Sequence, residues 1–216
     1  MGRTEMERMK KTGAVIAAAG LSSRMGAFKP LLPLGDTTII GQGIRTLRQA
    51  GVLPIVAVTG RESQRLTAYL EELGVICVYN SRYETTDMFA SLCLGMRRLK
   101  GEADRFFFLP GDIPLFRRET LLALQQAMDQ IGCDLVQPVW DGRGGHPVLI
   151  RSDQIPALLD WQGEGGLRGA MEDIIIKKKQ LPVQDPGIRL DADTREDYKR
   201  LLRLAEESAG GNTGTR

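Results

Sequence analysis

The chain has few of the residues that cross-link small secreted proteins or bind zinc, since 216 residues include three cysteines and one histidine. Cys77, Cys93 and Cys133 are odd in number, and none belongs to a C-x-x-C pair or to a zinc-type spacing with histidine. These features argue against a disulfide framework and against structural zinc. Cys77 and Cys93 lie in apolar patterns, so we expect buried thiols.

The chain also lacks a strong charge excess and a long apolar run. Its net charge is +2, so no general attraction to nucleic acid is expected and any anion site must be local. No apolar run approaches the roughly 20 residues that cross a bilayer. Residues 1–13 carry charge without a following apolar segment of the signal-peptide type. We therefore predict a cytoplasmic protein that binds neither nucleic acid nor membranes.

What is present is enough chain for one substantial α/β core, with 42% hydrophobic and 26% charged residues. Near-continuous apolar runs predict buried strands at 15–19, 54–58, 75–79, 106–109 and 135–139. Helical spacing predicts helices at 38–50, 61–73, 88–99 and 117–131. This alternation predicts a three-layer α/β/α fold with a mostly parallel sheet, whose ligands bind beyond the carboxyl ends of the strands.

After residue 140 the pattern becomes irregular. Residues 146–151 predict a strand that could run antiparallel, and 158–170 predict a loop with short helices. The three lysines in 174–183 favour a solvated strand edge over an anion patch. Thr194 can cap a final helix ending near Glu207. We expect one domain over residues 1–207 and a disordered tail at 208–216.

The most informative segment is residues 14–34, where a short apolar run passes into a loop rich in glycine and serine. Small residues at its start let a base and ribose approach the backbone; they are Ala17, Ala18, Ala19 and Gly20. Inward-facing backbone N–H groups, with Arg24 and Lys29, can neutralise a polyphosphate. Dinucleotide and ATPase loops fit poorly, because LSSRM separates Gly20 from Gly26 and AFK follows.

Residues 17–34, AAAGLSSRMGAFKPLLPL, resemble the MobA-like nucleotidyltransferase signature (L)AAGxSxRMGxxKxLLPL, and most resemble the molybdenum cofactor cytidylyltransferases within that family. Further segments resemble the family in the same order: residues 80–96, 111–114 (GDIP), 144–148 (GGHPV) and 191–197 (DADTRED). The resemblance implies a Rossmann-like sheet of the nucleotide-diphospho-sugar transferase type with a small antiparallel excursion. It also implies Mg²⁺ as cofactor, with Mn²⁺ as an alternative.

The resemblance assigns Arg24 and Lys29 to the triphosphate, and Lys29 to the charge that develops as pyrophosphate leaves. With Asp112 these form the predicted catalytic set. An in-line displacement needs alignment and preorganised positive charge, which two loop cations can supply. The predicted nucleotide-binding residues are Ala17, Ala18, Ala19, Gly20, Ser23, Arg24, Lys29, Asn80 and Ser91.

Aspartates mark two places where a metal ion is expected. Asp112 follows the apolar strand 106–109, where its carboxylate would face the ligand edge and suit Mg²⁺, or would cap the next turn. Asp191 and Asp193 point to the same side of an extended segment and repel each other unless a cation or water lies between them. The resemblance assigns this D-x-D-T segment to the metal, with Asp193 favoured; helix capping is the alternative for Asp193.

Two polar residues are candidates for the base and ribose. Ser91 lies in a segment resembling G-M-x-x-S-L-x-x-G-L, near the base in the family, or is simply a buried helical serine. Asn80 either holds the ribose or ends a strand. Asp87 stands where the family usually has glycine, a departure that bears on the shape of the base pocket.

The only histidine, His146, lies in GRGGHPVLI, which resembles a family segment beside the second substrate. A general base is not obviously needed, because a phosphate nucleophile is already ionised at neutral pH. We assign Gly145 and His146 to substrate binding, with a structural or orienting role for the imidazole.

Together these implications predict cytidylyl transfer from CTP to the terminal phosphate of the molybdenum cofactor pterin, releasing pyrophosphate, with a molybdenum hydroxylase as a candidate partner. CTP is favoured because residues 17–20 match the A-A-G form, whereas guanylyltransferase relatives carry G-G. Guanylyl or sugar- or alditol-phosphate nucleotidyl transfer stays open, as does a non-catalytic nucleotide-binding accessory factor. A glycosyltransferase using the 191–193 motif fits less well, because that motif precedes the last helix.

Overall fold

A computed structural model describes residues 10–20 and 27–210, with the backbone alone at 208–210. The strands are β1 (Thr12–Ala18), β2 (Pro33–Leu34), β3 (Thr37–Thr38), β4 (Ile55–Thr59), β5 (Ile76–Tyr79), β6 (Arg105–Pro110), β7 (Leu135–Trp140), β8 (Arg143–Gly144), β9 (Val148–Arg151) and β10 (Lys178–Pro182). The α-helices are α1 (Ile39–Gln49), α2 (Ser63–Glu72), α3 (Met88–Leu99), α4 (Arg118–Ile131), α5 (Ile155–Asp160), α6 (Gly166–Asp173) and α7 (Arg195–Gly210). Short 3₁₀ turns cover Lys29–Leu31, Ser152–Gln154 and Pro186–Arg189.

The main sheet has the order β10-β7-β9-β6-β1-β4-β5, with β8 paired to β7. β1 pairs in parallel with β4 and β6, β4 with β5, and β10 with β7. β9 runs antiparallel between β6 and β7, and β2 and β3 form a separate two-stranded sheet. The predicted mostly parallel sheet with a small antiparallel excursion is therefore confirmed.

Strand β6 shows why the sheet is buried on both faces. Phe106, Phe107 and Phe108 are all fully buried, and alternation along a strand sends them to opposite sides. Phe107 packs in the cluster that includes residues of α1, α2 and α4. Phe106 and Phe108 pack in the cluster that includes residues of α3, α5 and α6. The two helical layers make the predicted three-layer arrangement.

A glycine in α3 sets how closely this helix approaches the central strand. A Cβ atom built at Gly95 would lie 2.3 Å from Cγ1 of Val15 in β1, too close for any larger residue without movement. The contact fixes α3 against β1. It thereby brings the amino-terminal turn of α3 to the carboxyl end of β1, where the candidate site lies.

The final helix begins as the sequence predicts. The Thr194 hydroxyl accepts a hydrogen bond from the Asp197 N–H at 3.1 Å, and the Asp197 carboxylate accepts one from the Thr194 N–H at 2.9 Å. This reciprocal cap satisfies two N–H groups at the helix start. The helix continues to Gly210, past the predicted end near Glu207, because Ser and Ala extend a helix at little cost before the glycine pair. Residues 211–216 of the predicted tail lie outside the described part of the chain.

The burial of the cysteines and the length of the helices bear on two further expectations from the sequence. Cys133 is buried, whereas Cys77 and Cys93 are only partly buried, so the prediction of buried thiols is corrected for those two. Burial, full or partial, raises the pKa of all three thiols above the ordinary value. Among the helices described, none is long and apolar enough to cross a membrane.

Candidate active site

A cavity of about 200 Å³ opens at the carboxyl ends of β1 and β6. Its lining includes Ala17, Ala18, Ala19, Gly20, Lys29, Ser91 and Asp112 from the predicted set, and also Pro30, Tyr83, Thr86, Asp87, Met88, Pro110 and Gly111. The two strands are parallel and adjacent, so their ends meet at one edge of the sheet. The structure therefore brings together residues from four separate segments of the chain.

The small residues after β1 leave this edge open for a ligand. Ala18 and Ala19 are buried, and Gly20 is exposed. The Gly111 backbone comes close to β1, because a Cβ atom at 111 would lie 3.1 Å from the Ala18 Cβ. The chain after β6 is thus packed directly beside the chain after β1, which positions Asp112 at the mouth of the cavity.

Lys29 joins three segments that are distant in sequence. Lys29 is the first residue of the 3₁₀ turn Lys29–Leu31, and it is only 7% exposed. The ammonium group lies 2.6 Å from Oδ1 of Asp193 and 3.6 Å from Oδ2 of Asp112. A buried lysine needs such partners, because an unpaired charge out of water is very costly. Three residues that the sequence predicts for the site, Lys29, Asp112 and Asp193, therefore meet in the structure.

Among the residues that the structure describes, the three aspartates at this site outnumber the one cation that faces them, Lys29. Burial raises the pKa of Asp112, Asp193 raises it further, and Lys29 opposes both effects. Burial likewise raises the pKa of Asp191, and repulsion from Asp193 and Asp112 adds to it. Carboxylates that raise one another's pKa lie close together and repel each other. On the described residues alone, further positive charge is therefore favourable at this site.

The oxygen donors of this site suit a divalent metal ion that phosphate oxygens also coordinate. Within residues 10–20 and 27–210, no three His, Cys, Asp or Glu side chains are grouped as a complete metal cage. Mg²⁺ is commonly held by one or two carboxylates plus substrate phosphates, with water completing its shell. Asp112 and Asp193 offer such a pair, with Lys29 between them, and Asp191 lies near enough to be repelled by both.

Two predicted residues of the phosphate loop, Ser23 and Arg24, lie outside the described part of the chain. Their assignment to the nucleotide stays a prediction.

Asn80 supports the site from behind and does not belong to the lining of the cavity. It is 4% exposed, and its amide donates to the Thr86 hydroxyl at 3.0 Å and to the Ser91 hydroxyl at 3.2 Å. Its side-chain oxygen, Oδ1, accepts a hydrogen bond from the Arg82 backbone N–H at 3.0 Å. These bonds tie the loop after β5 to α3. Of the two interpretations left open for Asn80, the geometry favours the structural one, whereas Ser91 lines the cavity.

Asp87, the residue that departs from the family pattern, caps α3. Its Oδ1 accepts a hydrogen bond from the Ala90 N–H at 2.9 Å. Such a cap satisfies one of the free N–H groups at a helix start. The side chain also lines the cavity, so the replacement of glycine provides both a cap and a carboxylate beside the expected base pocket.

A second cavity, of about 1280 Å³, lies between the sheet and α6. It shares Asp87 and Met88 with the first cavity, so the two spaces adjoin at the start of α3. Other lining residues are Phe89, Phe108, Leu135, Gln137, Gly144, His146, Val148, Gly165, Gly166, Leu167, Arg168, Met171, Glu172, Lys178, Lys179 and Gln180. A two-substrate reaction needs such adjoining spaces.

His146 lines the second cavity, whereas Gly145 packs behind its wall. Burial lowers the pKa of His146 to about 4, which a contact with the Phe108 backbone partly offsets. The imidazole is therefore neutral at physiological pH, and its ring stands edge-on to Phe108 at a centroid distance of 5.6 Å. A Cβ atom at Gly145 would lie 2.6 Å from the Ile188 carbonyl oxygen, so this glycine serves close packing.

Sequence reasoning missed several residues of both cavities. Tyr83, Thr86 and Met88 carry no motif of their own, although all lie within residues 80–96. The lysines of 177–179 favour a solvated strand edge, and β10 is indeed an edge strand. Lys178 and Lys179 also line the second cavity. The run of three lysines was itself the available signal, because an anion patch was the alternative to a solvated edge.

Comparison with known proteins agrees with this geometry. The profile of the MobA-like NTP transferase domain matches residues 14–181. The molybdenum cofactor cytidylyltransferase of Escherichia coli K12 is 25% identical over 191 residues, covering 88% of this chain and 95% of that protein. The bifunctional protein GlmU of Geobacter sulfurreducens is 32% identical over 129 residues, 59% of this chain. The matched part spans 27% of that GlmU.

The solved structures agree on the fold. Rv0371c from Mycobacterium tuberculosis H37Rv superposes with a TM-score of 0.77 at 27% identity, covering 90% of this chain and 98% of that one. A structure of Rv0371c is described as a complex with manganese, and it superposes with a TM-score of 0.72.

Proposed function

The chain belongs to the MobA-like NTP transferase family, and we propose that it transfers a cytidylyl group from CTP to the terminal phosphate of the molybdenum cofactor pterin. The observation that carries this proposal is the meeting of Lys29 with Asp112 and Asp193 beside the backbone of residues 17–20. A buried cation and two acids at the mouth of a cavity of small residues suit a nucleotide triphosphate and its metal ion.

In the proposed reaction, an oxygen of the acceptor phosphate attacks the α-phosphorus of CTP. A new phosphorus–oxygen bond forms as the bond from the α-phosphorus to the bridging oxygen breaks, and pyrophosphate leaves with that electron pair. Negative charge grows on the leaving oxygens, where Lys29 acts as a preorganised cation. Arg24, in the sequence between β1 and the Lys29–Leu31 turn, is proposed to neutralise the triphosphate.

Asp112 and Asp193 are proposed to hold Mg²⁺, with Mn²⁺ as the alternative, and Asp191 to add charge nearby. A bound divalent ion supplies neutralisation of the phosphate oxygens. Lys29 keeps the two carboxylates close together through its ammonium group. Half-buried acids that a cation already holds in place need little rearrangement when a phosphate and its ion arrive.

The acceptor is proposed to occupy the second cavity. The two cavities adjoin at Asp87 and Met88, which allows an acceptor phosphate to approach the nucleotide from that side. His146 orients the acceptor and does not act as a proton carrier, because it is neutral and a phosphate nucleophile needs no base. Gly145 is proposed to shape this wall.

The choice of CTP depends on the A-A-G form of residues 17–20, and the Escherichia coli cytidylyltransferase supports it because the match covers nearly its whole length. A molybdenum hydroxylase is the proposed recipient of the product. The second candidate is transfer to a sugar phosphate, which the GlmU matches favour, although they span a small part of those proteins.

Release of pyrophosphate tests the proposal. Purified protein with Mg²⁺ is assayed with CTP, GTP or UTP, each with molybdenum cofactor or with glucosamine-type sugar phosphates as acceptor. We expect release that requires both CTP and the pterin. Equal turnover with GTP would contradict the choice of CTP as the nucleotide. Turnover with the sugar phosphate but not with the molybdenum cofactor would show that the acceptor is a sugar phosphate. Nucleotide binding without any transfer would favour the accessory-factor interpretation.

A further inference from the structure

Asp185 is a buried acid that lines neither cavity. It is 2% exposed, and both of its carboxylate oxygens accept hydrogen bonds. Oδ2 accepts from the Thr120 hydroxyl at 2.6 Å and from the Arg117 backbone N–H at 2.8 Å, and Oδ1 accepts from the Gly187 backbone N–H at 3.0 Å. A carboxylate is tolerated away from water only with partners of this kind. The side chain is therefore held firmly in one place.

Two of these partners belong to the start of α4. Thr120 lies in the first turn of that helix, and Arg117 stands at its cap position. The Arg117 guanidinium donates to the Gln184 carbonyl oxygen at 3.2 Å, so the carboxylate that meets the helix start is that of Asp185, 65 positions after Thr120. Negative charge is favourable there, because the helix dipole is positive at its amino end. Asp185 therefore fastens the chain after β10 to the start of α4.

The loop that carries Asp112 ends at this fastening. It connects β6 to α4 and reaches Arg117, whose backbone N–H bonds to Asp185. Earlier in the same loop, the Leu115 carbonyl oxygen lies so close to Gly187 that a Cβ atom at 187 would collide with it. Two contacts therefore hold the Asp112 loop against the chain that follows Asp185.

Beyond the 3₁₀ turn Pro186–Arg189, the same chain leads directly to Asp193. Within the turn, the Ile188 carbonyl oxygen accepts a hydrogen bond from the His146 N–H at 2.8 Å. Ala192 is fully buried, in a cluster with residues of β2, α1 and α7. The contacts at Ile188 and Ala192 leave the backbone that carries Asp193 little freedom to move.

The separation of Asp112 from Asp193 decides how well these acids can share one divalent ion. Mg²⁺ requires near-ideal geometry, with oxygen ligands at about 2.0–2.1 Å. Lys29 attracts both acids, but an ammonium group on a flexible stem is a point charge that adapts to where they lie. The backbone must therefore set the distance between the acids. Asp185 is the side chain that joins the two pieces of backbone that carry them.

We propose that Asp185 is a positioning residue, which sets the separation of Asp112 and Asp193 and thereby the affinity of the site for a divalent ion. This inference rests on the proposed function, because it takes these two acids as the metal ligands. Asp185 does not touch the ion in this arrangement, since protein donors occupy both of its oxygens. Loss of its hydrogen bonds should allow the Asp112 loop and the Asp193 backbone to move apart.

Binding of Mn²⁺ to the purified chain tests the inference without requiring turnover. The electron paramagnetic resonance signal of free Mn²⁺ measures the affinity, at a temperature at which circular dichroism shows each variant to be folded. Asp185→Asn should lower the affinity about tenfold, because an amide nitrogen cannot accept a hydrogen bond. Thr120→Val should lower it about threefold, since one hydrogen bond is lost, and it carries the test should Asp185→Asn fail to fold. Thr120→Ser keeps the hydroxyl and should bind Mn²⁺ as wild type does.

Thr12→Val is the matched control, because it makes the same substitution at an equally buried threonine. Thr12 and Thr120 are each 4% exposed. The Thr12 hydroxyl donates to the Gln125 side-chain oxygen at 2.8 Å and accepts from the Arg105 guanidinium at 2.9 Å. Thr12 begins β1, whereas the candidate site lies at the other end of that strand. Thr12→Val should lose stability as Thr120→Val does and keep wild-type Mn²⁺ affinity.

Asp112→Asn identifies where the ion binds, and it should remove most of the Mn²⁺ affinity. Wild-type affinity in Asp112→Asn or in Asp185→Asn would overturn the inference. An equal loss of affinity in Thr12→Val and Thr120→Val would overturn it as well, because the effect would then follow stability alone. If the expected losses are found but CTP and the pterin phosphate release no pyrophosphate, the inference stands and the proposed transfer fails. If pyrophosphate is released and Asp185→Asn binds Mn²⁺ as wild type does, the proposed function stands and the inference fails.

Discussion

The two cavities differ in how their polar groups are satisfied. In the first, Lys29 is paired at once with Asp193 and Asp112, so the charged groups hold one another in place. In the second, Gln137, Gln180 and the Nδ1 atom of His146 lack protein partners among the described residues. The first arrangement is preorganised for charge, whereas the second leaves its hydrogen bonds to be completed by a ligand.

This difference separates residues that act on the chemical step from residues that determine which acceptor binds. Substitutions in the first cavity should lower the rate for every acceptor, because they remove charge that acts on the phosphates. Substitutions in the second should change which acceptor binds. Four experiments probe that division, beginning with the largest expected effect.

Lys29→Ala should lower kcat/KM about 10³-fold with every acceptor, since it removes a preorganised cation from the leaving phosphates. Pyrophosphate release measures the rate, and circular dichroism with thermal unfolding checks the fold. Lys100→Ala is the control, because Lys100 is an exposed lysine directly after α3. Near wild-type turnover in Lys29→Ala would contradict the proposed role of Lys29. It would also contradict the division between a cavity for the chemical step and a cavity for acceptor choice.

Asp193→Asn should raise the Mg²⁺ concentration needed for half-maximal activity by about 100-fold, because one charged oxygen ligand is lost. Asp112→Asn should behave in the same way. Asp191→Asn is the matched comparison, and its effect should stay within about tenfold if that residue acts only by its nearby charge. Activity is titrated with Mg²⁺ and with Mn²⁺. Equal losses at 191 and 193 would show that both acids bind the ion.

The free energy of unfolding should fall as pH drops from about 7.5 to 5, because His146 is neutral when folded and takes up a proton when unfolded. Its pKa is about 4 in the folded chain, whereas the ordinary pKa of a histidine is 6.5. The stability from this group is thus fully present above about pH 6.5 and declines toward pH 4, by about 2 kcal/mol at pH 5.

Urea unfolding of wild type and His146→Leu at both pH values isolates this contribution, since the variant lacks the titrating ring. The wild type should lose more stability than the variant. An identical loss in the two proteins would mean that the imidazole is solvated in the folded chain and would contradict the prediction.

Asp87→Ala should lower the free energy of unfolding by about 1 kcal/mol, because the cap of α3 is lost. Asp87→Asn should keep most of that stability, because the amide oxygen can still accept a hydrogen bond from the Ala90 N–H. Chemical denaturation measures both. Asp87 lies where the cavities meet, so KM for both substrates is measured in parallel. A change in the KM of one substrate alone would assign this side chain to one cavity.

The central fold was predictable because its strands are buried on both faces. Runs such as residues 106–109 have no polar interruption, and β6 occupies Arg105–Pro110. The antiparallel β9 was expected only as an open alternative, because direction depends on which neighbour the strand reaches. The extension of α7 to Gly210 was missed, since helix ends depend on small differences in propensity.

The charged site was predictable from motifs, and its contacts were not. Spacing around Asp193 indicates an acid facing one side, but only the fold shows that Lys29, 164 positions earlier, meets it. The glutamines of the second cavity gave no signal, because Gln137 and Gln180 lie in strands whose partners are far away in the sequence. Pairing across a sheet is set by topology, and the spacing of residues along one strand gives no information about topology.

The ion pair between Lys29 and Asp193 has a consequence for synthesis on the ribosome. Every strand in the described part of the chain precedes residue 183, so the sheet can assemble before the segment that carries Asp193 has emerged. Until then Lys29 lacks one of its two acidic partners. A nascent chain from which that segment has not yet emerged should therefore have its sheet but an incomplete ion site, and full activity at ordinary Mg²⁺ concentrations should begin only when the last helix is free to fold.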